Sequence, residues 1–470
     1  MNIREKINAA AAERILVLDG AMGSMIQAHR SPDNKPLAEA DFRGEQFKSH
    51  GKKLLGCNDV LCLTGPDLIS PIHDAYLGAG ADIIETCSLN ASSVGLQDYD
   101  LGSYARVISR AAASLARKAA DKYTTPQKPR FVAGSIGNTA KSAVFTPDMD
   151  NPLNRQVTWD ELEASYYENA AGLIEGGADF LLIETIYDGL NAKAALAAIS
   201  RLEKELGRDI PAAVSATVTE SGRLLTGQTP EDFCSAMMHA NPLALGLNCS
   251  FGIEKLKPVL EKLSSFLTCP VIFYPNAGMP DAGGHYSDTP ETMAAAAEVC
   301  MKNALVNIIG GCCGSTPAHI AAIAEKARRY KPRPFAVTGK SRAMISACDR
   351  VKNKITAWQP GIIVPWQDTL DKGDFEDAVE IARDNAEILY INTDKSPDPV
   401  SAMRGFLFLA SAYSDLAPLP VLIESKSWVT IEEGLKCCHG RATVRYTGPA
   451  DAAPQKNDEI YRLYGAVVCT

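Results

Sequence analysis

Short runs of β-branched and apolar residues recur along the first 330 positions, and stretches with helical periodicity follow them. The runs are RILVLDGAM (14–22), ADIIETCS (81–88), RFVAGSIG (130–137), FLLIET (180–185), AAVSATV (212–218), ALGLNCS (244–250), VIFYPN (271–276) and VNIIGGCCG (306–314). Amphipathic patterns fall at 159–176, 189–206, 253–266, 287–303 and 316–330. Near-continuous apolar strands alternating with helices predict a parallel sheet covered on both faces. Eight such units in about 330 residues fit a (β/α)8 TIM barrel, whose usual length is about 250 residues before insertions. The surplus falls in a polar excursion at 28–66. A doubly wound open sheet is the competing α/β arrangement, but no Gly-rich nucleotide turn follows the first strand.

Near residue 331 the pattern breaks. YKPRPFAVTGKSR carries two prolines and four basic residues and reads as a linker. Beyond it a second, weaker series predicts strands at 361–365, 388–393, 420–425, 442–447 and 465–470, with helices at 374–386, 398–413 and 430–438. The expected organisation is a barrel over 1–330, a linker over 331–345 and a partial second β/α barrel-like domain over 346–470.

Composition narrows the class without changing this picture. Hydrophobic residues make up 46% and charged residues 22%, as in soluble globular proteins. The net charge of −9 argues against non-specific nucleic-acid binding, which needs a basic footprint. The first residues lack the apolar core of a signal peptide, and no apolar run reaches membrane-spanning length. Thirteen cysteines, an odd number scattered through strand-like runs, point to reduced thiols in the cytoplasm rather than a disulfide framework.

In such a barrel the reactive groups sit at the carboxyl ends of the strands. Cys249 ends the sixth strand and Cys312–Cys313, within Gly-Gly-Cys-Cys-Gly, end the eighth, so one neighbouring strand separates them. Three thiolates and an open position form a soft zinc site that holds a fourth sulfur as thiolate rather than activating water. The competing readings are buried structural cysteines or a vicinal disulfide. Glu85 and Glu184 close apolar strands and are placed to meet an ammonium group, or else to form structural ion pairs. Asp19 beside Gly20 is a site residue or a turn residue. Asn276 orients a substrate or satisfies backbone. His319 reads as a surface or packing residue, and Cys87 and the Cys437–Cys438 pair read as structural.

LDGAMGSMIQ (18–27), ADFRGEQF (40–47), GADIIET (80–86), GGADFLLIETIYDGLNAKAA (176–195), LTGQTPEDF (225–233), GLNCSFG (246–252), YPNAGMP (274–280) and GGCCGSTPAHI (310–320) resemble the homocysteine-binding barrel of cobalamin-dependent methionine synthases. The resemblance covers about 10–330. It implies that Cys249, Cys312 and Cys313 bind zinc, with the homocysteine sulfur at the open position. Asp19, Gly20, Glu85 and Glu184 are then expected around the amino-acid end, and Asn276 beside the metal. The segments ETCSLN and GSIGNTAKS depart from the family pattern on the rim.

Residues 372–394 and 419–440 resemble the start of that family's pterin-binding barrel, but its signature is eroded. VPWQDT (364–369) stands where a Gly-Glu-Arg-Thr-Asn turn is expected, Tyr390 and Glu424 replace aspartates, Arg445 replaces an asparagine, and Asn392 and Asp394 remain. No Asp-x-His-x-x-Gly cobalamin motif occurs. The expectation is a zinc-dependent homocysteine S-methyltransferase that forms methionine, its methyl group coming from a separate methyl-corrinoid protein. Cobalamin would thus enter only through a partner, and S-methylmethionine is the variant donor. The alternative is a non-catalytic zinc- or homocysteine-binding subunit or scaffold. The exposed last strand of the partial domain suggests a homo-oligomer.

Overall fold

The structure, a computed structural model, describes residues 1–30, 33–148, 154–335, 388–413, 416–417, 419–449 and 453–469. Eight strands, β1 (Leu16–Val17), β2 (Ile83–Glu85), β3 (Phe131–Gly137), β4 (Phe180–Ile186), β5 (Ala212–Ala216), β6 (Leu245–Asn248), β7 (Val271–Tyr274) and β8 (Ile308–Ile309), form one sheet in the order β1-β8-β7-β6-β5-β4-β3-β2. Every pairing is parallel, and a bridge between Leu18 and Ile83 joins the two ends of that order into a (β/α)8 barrel. Buried Asp82 pins this seam. Its carboxylate accepts from Val17 N at 3.0 Å and pairs with Arg14 and Arg130.

Side chains alternate across a strand, so every second residue faces the barrel interior. Leu16, Ile83, Phe131, Phe180, Leu182, Ile272 and Ile308 belong to one buried cluster, which Ile7 and Ala11 of the helix Ile3–Glu13 join. Asn307, just before β8, donates to Ala11 O, which places that helix across the amino-terminal end of the barrel. The intervening residues Ile84, Val132, Leu181, Ile183, Leu247 and Phe273 lie in the layer beneath the outer helices. Carried to the carboxyl ends, the same parity turns Glu85, Ser135, Glu184, Ser215 and Asn248 inward, so the apolar filling stops and a polar floor begins there.

The outer helices follow the sequence periodicity closely, with Trp159–Glu175, Gly189–Leu206 and Ile253–Phe266 among them. The last two start later than their patterns, at Pro290 and Pro317, because Thr289 and Thr316 take the N-cap positions and proline suits the first turn. The excursion 28–66 holds short helices at Glu39–Arg43 and Leu61–Thr64. The Glu39 carboxylate fastens it by accepting from Leu54 N and Leu55 N.

The C-terminal unit has four parallel strands, β9 (Leu389–Ile391), β10 (Val421–Ser425), β11 (Thr443–Tyr446) and β12 (Val467–Cys469), in the order β12-β11-β10-β9. The helices Pro399–Ala412, Trp428–Leu435 and Ala453–Tyr464 connect them. The helix expected at 430–438 begins earlier because Ser427 caps it, accepting from Thr430 N. The expected strand 361–365, the helix 374–386, VPWQDT and linker residues 336–345 lie outside the described residues. The unit docks on the barrel flank, where buried Lys193 donates to Cys438 O at 2.9 Å and Gly440 O at 3.0 Å. Arg155 donates to Phe408 O, and Lys436 pairs with Asp160. Among the described residues no helix is long and apolar enough to cross a membrane.

Candidate active site

The carboxyl ends of β6 and β8 bring Cys249, Cys312 and Cys313 together. Their sulfurs all lie within 4.8 Å of one another, with Cys249 Sγ and Cys313 Sγ 3.9 Å apart. Tetrahedral zinc–thiolate bonds of about 2.3 Å require sulfur–sulfur separations of about 3.8 Å, so the donor set fits zinc. All three cysteines are free and only partly buried. Hydrogen bonds from Cys249 and Cys312 hold the Cys313 thiol far below the ordinary range, while the same contacts push Cys312 well above it. A soft dication would let all three ionise.

Backbone geometry shapes both halves of the trio. Cys312 N donates to Pro275 O at 2.7 Å and Ala277 N to Cys313 O at 2.9 Å, which fastens the cysteine turn to the exit of β7. Gly314, at φ +79°, lies flat against the Tyr286 ring, where a Cβ would come within 2.1 Å of Cγ. On the other half, Cys249 and Ser250 are consecutive left-handed residues, with φ +58° and +63°. Each costs on the order of 1–3 kcal/mol in a residue that is not glycine. Val218 N donates to Ser250 Oγ, and the Thr217 and Ser250 hydroxyls bond each other, which holds the conformation in place.

Beside the sulfurs lie the carboxylates of Asp19 and Glu184, which are buried, and of Glu85, which is half-buried. Burial first, and then mutual repulsion, raises Asp19 and Glu85 well above the usual carboxylate range. Burial pushes Glu184 up to about 7, although Ser135 Oγ donates to its Oε1 at 2.5 Å. Asp19 Oδ2 accepts from Glu85 N at 3.0 Å, whereas Asp19 Oδ1 and Glu85 Oε1 are buried with no hydrogen-bond partner. Among the described residues none of the three has a cationic partner, so structural ion pairs do not account for them. Such a cluster has a strong demand for a positive charge. Asn276 Oδ1 is also buried and unpaired, in the segment that follows β7. Gly20 has no room for a side chain: a Cβ would stand 2.7 Å from Ser315 Oγ and 2.9 Å from the Tyr76 ring.

The floor between carboxylates and sulfurs includes residues that the sequence reading passed over. Asn248 Oδ1 accepts from Thr185 N at 2.9 Å and Ser215 Oγ at 2.7 Å, and its Nδ2 donates to Thr185 Oγ1 and approaches Cys312 Sγ at 3.9 Å. It braces Thr185, itself left-handed at φ +56°, and so fixes the residue after Glu184 relative to the cysteines. The signal available for Asn248 and Ser135 was a polar residue at an inward position one step beyond the apolar filling. His319 is a packing residue, its Nδ1 at the N-cap Thr316 and its Nε2 on Asp288 O. Cys87 Sγ points to Asn58 O, away from the trio, and Cys437 and Cys438 are buried.

The family model for homocysteine S-methyltransferase matches residues 16–327. Among solved structures, the oxidized form of the homocysteine methyltransferase MmuM from Escherichia coli is 25% identical, with a TM-score of 0.51, covering 66% of this chain and 96% of that one. Its metallated form, also 25% identical, has a TM-score of 0.47 and covers 67% and 96% respectively. With a barrel whose strand ends gather three thiols and three carboxylates, and a family match spanning all eight strands, the chain belongs to the homocysteine S-methyltransferase family and is a methyltransferase.

Proposed function

We propose that the chain is a zinc-dependent enzyme that methylates homocysteine to methionine, with the methyl group delivered by a separate methyl-corrinoid protein. The observation that carries this reading is the pairing of two mismatched needs in one cleft. Three sulfurs at metal-ligand spacing stand beside three carboxylates that lack a cation among the described residues. An amino acid with a thiol side chain answers both. Zinc, when bound, supplies a soft Lewis acid that keeps a substrate thiol ionised at neutral pH.

The chain's own groups divide the remaining work. Cys249, Cys312 and Cys313 would hold the metal. Asp19, Glu85 and Glu184 would take the ammonium group, and the unpaired Asn276 Oδ1 would accept a further donor. Gly20 lets the β1 loop close on the cysteine turn, and Asn248 keeps the two halves of the site at fixed separation. The substrate sulfur then attacks the donor's methyl carbon, and the bonding pair leaves with the donor.

The partial C-terminal domain, over 346–470, is read as a pterin-type half barrel that does not supply the donor. At its strand ends Tyr390, Asn392 and Arg445 all bond to Glu424, and Asp394 is taken by Ser425 Oγ and Lys426 N. Polar groups engaged with one another in this way have little capacity left for a folate. The test is bound zinc and methionine formation from homocysteine and methylcobalamin, in wild type and Cys312→Ala. Stoichiometric zinc and turnover, both lost in the variant, are expected. Zinc without turnover from any methyl donor would leave a binding subunit, and absence of zinc under reducing conditions would overturn the metal assignment.

A further inference from the structure

Between the barrel and the C-terminal unit lies a partly open cavity of about 370 Å³ that shares no lining residue with the strand-end site. Phe266 closes it from the barrel side, and Leu389, Leu407, Leu416, Leu419 and Val421 from the other. Into this largely apolar wall is set Arg441. Its Nε, Nη1 and Nη2 are all buried and none has a hydrogen-bond partner. Among the described residues no carboxylate pairs with it. Glu231 and Asp232 line the same cavity, and the Asp232 carboxylate accepts from Thr229 Oγ1 at its own helix N-terminus. Nearby, Lys193 of the barrel is engaged with the carbonyls of Cys438 and Gly440, just before Arg441, and His239 is held far below its usual pKa first by burial.

A guanidinium has five N–H donors and keeps its charge in proteins. Removing it from water with those donors unmatched costs several kcal/mol, and folded proteins satisfy such groups. Among the described residues nothing supplies that complement, which leaves the site open to a ligand. A guanidinium fork matches a carboxylate or phosphate in two parallel hydrogen bonds. The apolar walls match a hydrocarbon or aromatic body, and the volume falls in the range of about 300–1,000 Å³ typical of small-molecule sites. We propose that this cavity binds a small organic anion, an oxyanion on an apolar body, held by Arg441 between the two units. Because the walls come from both units, an occupant would also strengthen their docking.

The test uses the full-length protein at constant ionic strength, with hexanoate and phenyl phosphate as probes in calorimetric titration and thermal unfolding. Wild type is expected to bind at least one probe saturably and to melt higher in its presence; which probe binds separates a carboxylate from a phosphate ligand. Arg441→Met should weaken binding at least tenfold, and its ligand-free form should be no less stable than wild type, since an unpaired buried charge is gone. Ala410→Phe leaves Arg441 in place, fills the cavity and should abolish binding, which keeps the proposal testable if Arg441→Met folds poorly. No saturable binding of either probe to wild type, or equal binding by Ala410→Phe, would overturn it.

Discussion

Glu184→Gln separates a carboxylate kept for a ligand from one kept for the fold, because the two roles predict opposite signs. In the wild type the side chain is buried and shares its surroundings with Asp19 and Glu85, and burial lifts its pKa from 4.5 to about 7. The folded-state value lies above the unfolded one, so this group's stability contribution is intact below pH 4.5 and is lost as pH rises to about 7. At about 1.4 kcal/mol per pH unit, that interval corresponds to roughly 3 kcal/mol. Glutamine keeps an acceptor for Ser135 Oγ and cannot ionise. The metal-free variant should therefore match metal-free wild type near pH 4.5 and exceed it by roughly 3 kcal/mol at pH 8, a rise of several degrees in Tm. Homocysteine binding should move the other way. Replacing a charged hydrogen bond to its ammonium by a neutral one costs about 1.5–3 kcal/mol, or roughly 10- to 150-fold in affinity. Thermal unfolding at both pH values and titration of homocysteine read the two effects. A variant less stable at pH 8 with unchanged homocysteine affinity would refute the assignment.

Gly20→Ala places a Cβ 2.7 Å from Ser315 Oγ, next to the cysteine turn, and should weaken zinc at least tenfold in a chelator competition while the far-ultraviolet circular dichroism stays unchanged. Asn248→Ala leaves Thr185 N without its acceptor inside the floor, so a loss of about 1–3 kcal/mol is expected by denaturant unfolding. Turnover should fall more than zinc content, because the sulfurs remain while Glu184 loses its fixed neighbour. His73 is fully buried with both ring nitrogens unpaired, and burial lowers its pKa from 6.5 to about 4. A histidine held below its unfolded value contributes stability that is present above pH 6.5 and lost as pH falls toward 4. His73→Leu should remove up to about 3 kcal/mol of this acid sensitivity between pH 7 and 4, measured by urea unfolding at each pH. His239 and His439, lowered to about 3 and about 4 mainly by burial, should keep part of the slope.

The barrel and the cysteine trio are legible in the sequence because their signals are local. A strand buried on both faces is an apolar run, a covering helix repeats at its own period, and neither depends on distant residues. Gly-Gly-Cys-Cys-Gly advertises a tight, glycine-shaped turn where a parallel strand ends, and the strand order brings Cys249 to the same rim. Glu85 and Glu184 stand out as charges that end apolar runs. The polar floor was not legible in the same way. A lone Ser135, Ser215 or Asn248 reads alike whether it faces the interior or the helices, until closure of the barrel sets its parity. Thr185, Cys249 and Ser250 adopt left-handed backbone without a glycine to announce it. That strain is held by contacts from other strands.

What the chain order and residue chemistry determined by themselves is therefore the architecture of the first 330 residues, the clustering of three thiols and the acidic character of the cleft. Only the tertiary structure decided that Glu85 and Asp19 lack a cation among the described residues, that Asn248 ties the carboxylates to the sulfurs, and that Glu424 is already occupied by Tyr390, Asn392 and Arg445. It also decided that Lys193 reaches Cys438 and that Arg441 stands without a hydrogen-bond partner in a partly open cavity. The reason is physical: periodicity and turn chemistry are properties of neighbouring residues, whereas satisfaction or frustration of a buried charge depends on which distant segments the fold brings within a few ångströms of it.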